Sequence, residues 1–176
     1  MMFDVIREDD DLWGLERGEC EENDIGVKFD KNLTDNRYLI LKIDAYYSSS
    51  RTHNPPPSVD CLIIVRCDIR DHYDFYLTEL RDVKSPKGIR TREIENKFAT
   101  AIERFLKKDF ADIFLGENYY LNNSRLCLVT DAYVLQSFQK SSMREKCRFW
   151  RKSVHYFRRS SGLKIRRLQS RWNCRI

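Results

Sequence analysis

The chain has 176 residues, of which 41% are hydrophobic, with only six Gly and four Pro. This length fits one domain with an apolar core, and the scarcity of Gly and Pro excludes fibrous and low-complexity classes. The net charge of +5 conceals an asymmetry. Residues 140–176 hold thirteen basic residues and one acidic residue, a net of +12, whereas residues 1–139 carry −7. This segregation indicates a polyanionic partner, with nucleic acid as the first candidate.

Three strands are predicted in the first half of the chain. Residues 4–36 are acidic, and we expect loops there with at most one short helix. The runs that follow are rich in β-branched, aromatic or other apolar residues and are bounded by loop signals, so they predict strands at 38–43, 59–65 and 75–80. A Pro-rich loop at 48–58 separates the first two strands.

A helix and a fourth strand are predicted next. Thr91 is a plausible N-cap, and an apolar stripe at helical spacing follows it: Ile94, Phe98, Ala101, Ile102 and Phe105. A short apolar run at 126–129 predicts another strand. The order of elements indicates an α/β fold with a central mixed sheet flanked by helices.

The basic tail also carries a pattern. Apolar residues recur at intervals of three and four, at Met143, Cys147, Trp150, Val154 and Phe157. A break at 160–162 precedes a second stripe of Ile165, Leu168, Trp172 and Ile176. We therefore predict two amphipathic helices at 140–176, packed on a core formed by residues 1–139. The three tryptophans, Trp13, Trp150 and Trp172, are interpreted as packing residues.

Targeting and redox signals favour an intracellular protein. No run reaches the roughly 18–20 apolar residues of a membrane span, and the start of the chain lacks a signal-peptide pattern. The six cysteines are scattered, and several lie within apolar runs. We expect reduced thiols and a cytoplasmic location.

Acidic and basic residues on two adjacent predicted strands form the candidate active site. Asp60 opens one strand, and the next strand leads into Glu79, Arg81, Asp82 and Lys84. Two carboxylates can hold Mg²⁺ through oxygen ligands, and a nearby cation can stabilise the charge that develops on a scissile phosphate. Residues two apart in a strand share a face, so an acid and a base at that spacing point into one site.

This segment resembles the PD-(D/E)XK nuclease superfamily, which has the restriction-endonuclease-like fold, over roughly residues 57–131. Asp60 matches the first motif, although Pro57 lies three residues before it instead of one. The second motif has two registers, Glu79-Leu80-Arg81 and Asp82-Val83-Lys84. Asp60 and Glu79 are the preferred metal ligands, Asp82 is the alternative, and Arg81 or Lys84 supplies the cationic group.

The resemblance implies a Mg²⁺- or Mn²⁺-dependent endonuclease, with DNA the expected substrate and a homodimer left open. Contacts to the phosphate backbone of the nucleic acid are expected from a set of basic residues: Lys97, Arg144, Arg148, Arg151, Lys152, Arg158, Arg159, Arg166 and Arg167. Two rivals stay open, a non-catalytic nucleic-acid-binding or assembly protein and a membrane-surface role for cationic amphipathic helices. In the first rival, Glu79 and Arg81 are a surface ion pair on an edge strand.

Overall fold

A mixed β-sheet with packed helices forms the α/β fold, as predicted for the coarse class. The computed structural model describes residues 1–23, 25–27, 29, 33–49, 54–67, 69, 71–82, 90–130 and 154–158. The strands of the main sheet are β1 (Glu16–Arg17), β4 (Tyr38–Lys42), β5 (Cys61–Arg66), β6 (His72–Arg81), β7 (Tyr120–Thr130) and β8 (Val154–Arg158), and they lie side by side in that order. A separate hairpin consists of β2 (Cys20–Glu22) and β3 (Ile25–Val27).

Strand direction changes once across the sheet. Strands β1, β4, β5 and β6 pair antiparallel, whereas β6, β7 and β8 pair parallel. A parallel pair needs a long crossover connection, and a helical segment supplies it between β6 and β7. The carboxyl ends of β6, β7 and β8 therefore lie together, next to the first residue of β5. We call this boundary of strand ends the sheet edge; it is distinct from the outermost strands of the sheet.

Two short helices precede the sheet where mainly loops were expected. These are α1 (Met2–Glu8) and α2 (Asp10–Trp13), and the Asp9 side chain caps α2 by accepting hydrogen bonds from two backbone N–H groups at 3.1 and 2.9 Å. Met2, Phe3 and Ile6 are buried against the sheet. Trp13 was predicted to pack, and that prediction is wrong because its side chain is 64% exposed, on the solvent side of its short helix.

The first predicted strand ends earlier than expected. After Lys42 the chain enters α3 (Ile43–Ser49), so residues 48 and 49 are helical and not part of the loop. Ile43 and Tyr47 of this helix are buried in the core with the helices that follow.

The crossover between β6 and β7 is a long helical segment. Helix α4 (Thr91–Thr100) continues as a π-helical stretch (Ala101–Asp109), and α5 (Ala111–Phe114) follows. Every residue of the predicted stripe except Ile102 is buried, and Ile102 is partly buried against the same core. Arg90, not Thr91, is the N-cap residue. Among the described residues, no helix is both long and apolar enough to cross a membrane.

The two faces of the sheet have separate cores. Leu62, Phe75, Leu77 and Leu128 face the helices, as part of the larger core. The alternate residues Ile63, Leu80 and Val129 form a smaller core on the other face, under the β2–β3 hairpin. This alternation follows from the two-residue period of a strand. It determines on which side each candidate site residue lies.

A disulfide joins the hairpin to the sheet. Cys20 of β2 and Cys61 of β5 are bonded, although 41 positions separate them in the sequence. The prediction that the cysteines are reduced is wrong for this pair, because the hairpin folds over the small core and brings the two buried sulfur atoms together. Cys67 and Cys127 are free, whereas Cys147 and Cys174 lie outside the described residues.

The basic tail contains a strand where a helix was predicted. Strand β8 pairs in parallel with β7, and Arg158 is in register with Thr130. Val154–Arg158 form this strand, which differs from the helix predicted for this part of the tail. The other residues of both predicted helices, and the division at residue 139, lie outside the described residues.

Candidate metal site at the sheet edge

Asp60 and Glu79 lie on neighbouring antiparallel strands at one edge of the sheet. The last paired residues of β5 and β6 at this end are Cys61 and Thr78, so Asp60 and Glu79 are the next opposed positions. The buried Asp60 carboxylate accepts a hydrogen bond from the backbone N–H of Leu80. Both acidic side chains share the helix-facing side of the sheet with Leu62 and Leu77, because strand residues two apart share a face.

Glu79 is completely buried and contacts two cationic side chains. Lys97 of α4 donates from Nζ to Oε1 at 2.9 Å and to Oε2 at 3.1 Å. The Nε of Arg81 lies 2.7 Å from Oε1 as an ion pair without hydrogen-bond geometry. A second nitrogen of Arg81 donates to Glu93 Oε1 at 2.8 Å. The strand and α4 are therefore joined through alternating charges.

The interpretation of Glu79 and Arg81 as a surface ion pair on an edge strand does not match this geometry. Strand β6 lies between β5 and β7, and the Glu79 side chain is 0% exposed. Desolvation makes a buried ion pair a weak source of stability compared with apolar packing. Its presence beside a mainly apolar core therefore calls for another explanation.

Burial and mutual repulsion disfavour two negative charges at this edge. Burial, and then the charge of Asp60, raises the pKa of Glu79 to about 7, although Lys97 and Arg81 act in the opposite direction. Burial also raises the pKa of Asp60, against the hydrogen bond from Leu80 and the charge of Lys97. A cation placed between these two carboxyl groups would stabilise their ionised forms, because a nearby positive charge favours the negatively charged form of a carboxyl group.

The structure separates the two registers of the second motif. Glu79 and Arg81 lie on the face that carries Asp60, and Lys97 contacts Glu79 from the helix. Asp82 follows the end of β6 and is exposed. Lys84 lies outside the described residues, as do most of the basic residues expected to bind nucleic acid: Arg144, Arg148, Arg151, Lys152, Arg159, Arg166 and Arg167. Arg158 is the last residue of β8.

Two residues at this edge were not identified from the sequence. Glu93, in the first turn of α4, accepts a hydrogen bond from Arg81, a contact between helix and strand that local spacing does not reveal. Thr130 ends β7 in register with Arg81 and is 1% exposed. Nothing in the sequence distinguishes Thr130 from an ordinary strand residue.

The residues present suit a hard divalent cation that keeps much of its water. Asp60 and Glu79 offer carboxylate oxygens, the ligands that Mg²⁺ and Mn²⁺ prefer. Within the described part of the chain, no group of three His, Cys, Asp or Glu side chains is placed to hold a metal ion. The remaining ligands would be water or phosphate oxygens, which is usual for Mg²⁺. A cation at Glu79 would compete with Lys97 for the same oxygen atoms.

Comparison with known proteins adds no relative. No protein-family model, curated protein or solved structure matches the chain. The geometry of Asp60, Glu79, Arg81 and Lys97 is therefore the basis for assigning a function.

Proposed function

We propose that the chain is a divalent-cation-dependent endonuclease acting on DNA, with a restriction-endonuclease-like core. The observation that carries the proposal is the opposition of Asp60 and Glu79 at the sheet edge, with Lys97 and Arg81 on the second carboxylate. The order of elements supports it. The antiparallel strands β5 and β6, a helical crossover and the parallel strand β7 follow each other in the chain, an order that suits the restriction-endonuclease-like fold.

In this proposal Asp60 and Glu79 hold the cation. A bound Mg²⁺ or Mn²⁺ supplies Lewis acidity toward the scissile phosphate and makes a water molecule easier to deprotonate. The hydrogen bond from Leu80 orients the Asp60 carboxylate and leaves its second oxygen for a ligand. Burial of Glu79 favours a strong interaction there, because few water molecules screen its charge.

Arg81 and Lys97 are the cationic groups in this proposal. Their side chains are 26% and 20% exposed, so they connect the buried carboxylate to solvent, from which a phosphate would arrive. Each can donate a hydrogen bond to a phosphate oxygen and offset the negative charge that develops on it. Arg81 is held by Glu93, and Lys97 is held by both oxygens of Glu79.

The decisive experiment compares carboxylate-to-amide variants on supercoiled plasmid and on single-stranded DNA, with Mg²⁺ or Mn²⁺ added. Asp60→Asn and Glu79→Gln are each expected to lower the cleavage rate by about 100-fold or more, since each removes the negative charge of a cation ligand. Asp82→Asn is the matched control and is expected to cleave like the wild type. Cleavage that survives both site substitutions would refute the proposed site. Loss of cleavage in Asp82→Asn alone would indicate that the second motif is Asp82-Val83-Lys84.

A second candidate function has its own support. Both oxygens of Glu79 already contact cationic groups, so the network is charge-paired without a metal ion. This favours a non-catalytic nucleic-acid-binding or assembly protein in which the network is structural. Tight, salt-sensitive DNA binding by a wild-type protein that does not cleave under any cation would select this candidate.

A further inference from the structure

Thr130 carries a buried hydroxyl that has no hydrogen-bond partner among the described residues. It ends β7, its side chain is 1% exposed, and Oγ1 neither donates nor accepts a hydrogen bond there. Most buried side-chain polar atoms in proteins are paired, since an unpaired one loses its hydration without compensation. An orphaned hydroxyl at this position therefore needs a reason beyond packing.

The strand register places Thr130 opposite Arg81, on the strand next to the one that carries Glu79. Thr130 is opposite Arg81, and Leu128 is opposite Glu79. Leu126 and Leu128 face the larger, helix-side core, whereas Val129 faces the smaller one. By the same alternation, the Thr130 side chain lies on the helix side, next to Arg81 and two residue pairs along from Glu79. It shares a face with the groups proposed to bind the cation.

A cation at this site would have more ligand positions than the two carboxylates fill, and the water molecules in the other positions are groups that the hydroxyl could bind. Mg²⁺ prefers about six oxygen ligands, and Asp60 and Glu79 supply only two carboxylates, so several positions are left for water. Water bound to a cation is a strong donor, and a buried one needs acceptors. A threonine hydroxyl offers two lone pairs and fits that role. Hydrogen bonds of this kind orient the groups around metal ions and tune affinity.

We propose that Thr130 is a positioning residue whose Oγ1 accepts a hydrogen bond from a water molecule in the hydration shell of the bound cation. This inference rests on the proposed function, because it requires a cation at Asp60 and Glu79. It makes a distinctive prediction, since the hydroxyl has a role only when the cation is present. Removing the hydroxyl must lower the affinity for the cation without lowering the stability of the cation-free protein.

The test uses the full chain and two conservative variants, Thr130→Val and Thr130→Ser. Valine keeps the shape and removes the hydroxyl, whereas serine keeps the hydroxyl. Titration calorimetry with Mg²⁺ alone, and with Mn²⁺ alone, gives the affinity. Thermal unfolding without a cation gives the stability. We expect about 10-fold weaker binding in Thr130→Val with unchanged or higher stability, and binding within about 3-fold of wild type in Thr130→Ser.

The outcomes separate this inference from the proposed function. If the wild type binds neither cation, both proposals fail. If the wild type binds and Thr130→Val binds equally well, only the role of Thr130 is overturned. Equal weakening in the valine and serine variants would also overturn it, because the hydroxyl would then not be the group that matters. A valine variant that loses stability without a cation would indicate a structural role instead.

Discussion

Lys97 on α4 contacts both carboxylate oxygens of Glu79, at 2.9 and 3.1 Å. This contact crosses from the helix to a central strand, and the Glu79 side chain at its inner end is buried. We expect Lys97→Met to lower the free energy of unfolding at pH 8 by about 3 kcal/mol, because it leaves a buried charge with Arg81 alone. Urea denaturation measures the change.

The exposed pair of Lys107 and Glu103 is the matched control for that experiment. It has the same 2.9 Å separation, but the two side chains are 52% and 63% exposed. Lys107→Met is therefore expected to cost no more than about 0.5 kcal/mol. Similar losses in the two variants would mean that burial of Glu79 does not govern the energetics of its ion pair.

The raised pKa of Glu79 predicts how stability depends on pH. The pKa rises from an ordinary value of 4.5 to about 7 on folding, so the folded state holds the proton more tightly than the unfolded state. This contribution to stability is complete below about pH 4.5 and is lost as the pH rises through about 7. The loss amounts to about 3 kcal/mol. Asp60 acts in the same direction, since its pKa is also raised.

A comparison of pH profiles isolates Glu79 from the other groups. Urea denaturation between pH 4 and 8 is expected to give a smaller decrease in stability for Glu79→Gln than for the wild type. Asp82→Asn, at an exposed position beyond the strand, should follow the wild-type profile. Parallel profiles for Glu79→Gln and wild type would contradict the expected proton uptake by this residue.

The disulfide is expected to be a large contributor to stability. Closing a loop of 41 residues removes enough freedom from the unfolded chain to be worth about 4 kcal/mol. A Cys20→Ala/Cys61→Ala double variant should lose about this amount, and reduction of the wild type should have a similar effect. Cys127→Ala tests a cysteine that is also buried but free, and should cost only about 1 kcal/mol. A double variant no less stable than Cys127→Ala would contradict this role.

The charge of the tail predicts the salt dependence of DNA binding. Residues 159–176 contain six basic residues and no acidic ones. If all six contact phosphates, their removal reduces the slope of log affinity against log salt by about 5. A chain ending at Arg158 retains β8 and serves for the comparison, measured by fluorescence anisotropy on duplex DNA. An unchanged slope would exclude these residues from the backbone contacts.

Much of the sheet could be predicted because local signals and tertiary environment agree there. The apolar run before Arg66 and the helical stripe after Thr91 specify one element each, and the structure contains both. The proximity of Asp60 and Glu79 followed from their places on consecutive strands. Local reasoning sufficed because adjacent strands of a meander usually pair.

The features that could not be predicted depend on long-range contacts. Cys20 meets Cys61 only after the hairpin has folded over the sheet, and the sequence spacing of 41 contains no sign of it. Val154 to Phe157 fits both a helical stripe and a strand, and the free edge of β7 decides between them. The environment of Thr130 likewise depends on its register with Arg81, which no local pattern reveals.

The parallel pairing of β8 with β7 determines where the remaining basic residues are attached. Arg158 is in register with Thr130, which is in register with Arg81, so the chain leaves the sheet at the edge that bears the carboxylates. A binding segment attached by a short linker raises the effective concentration of its ligand at the neighbouring site, roughly to the millimolar range. Under the proposed function, DNA bound by residues 159–176 would thus be held near Asp60 and Glu79 even if these residues bound it only weakly by themselves.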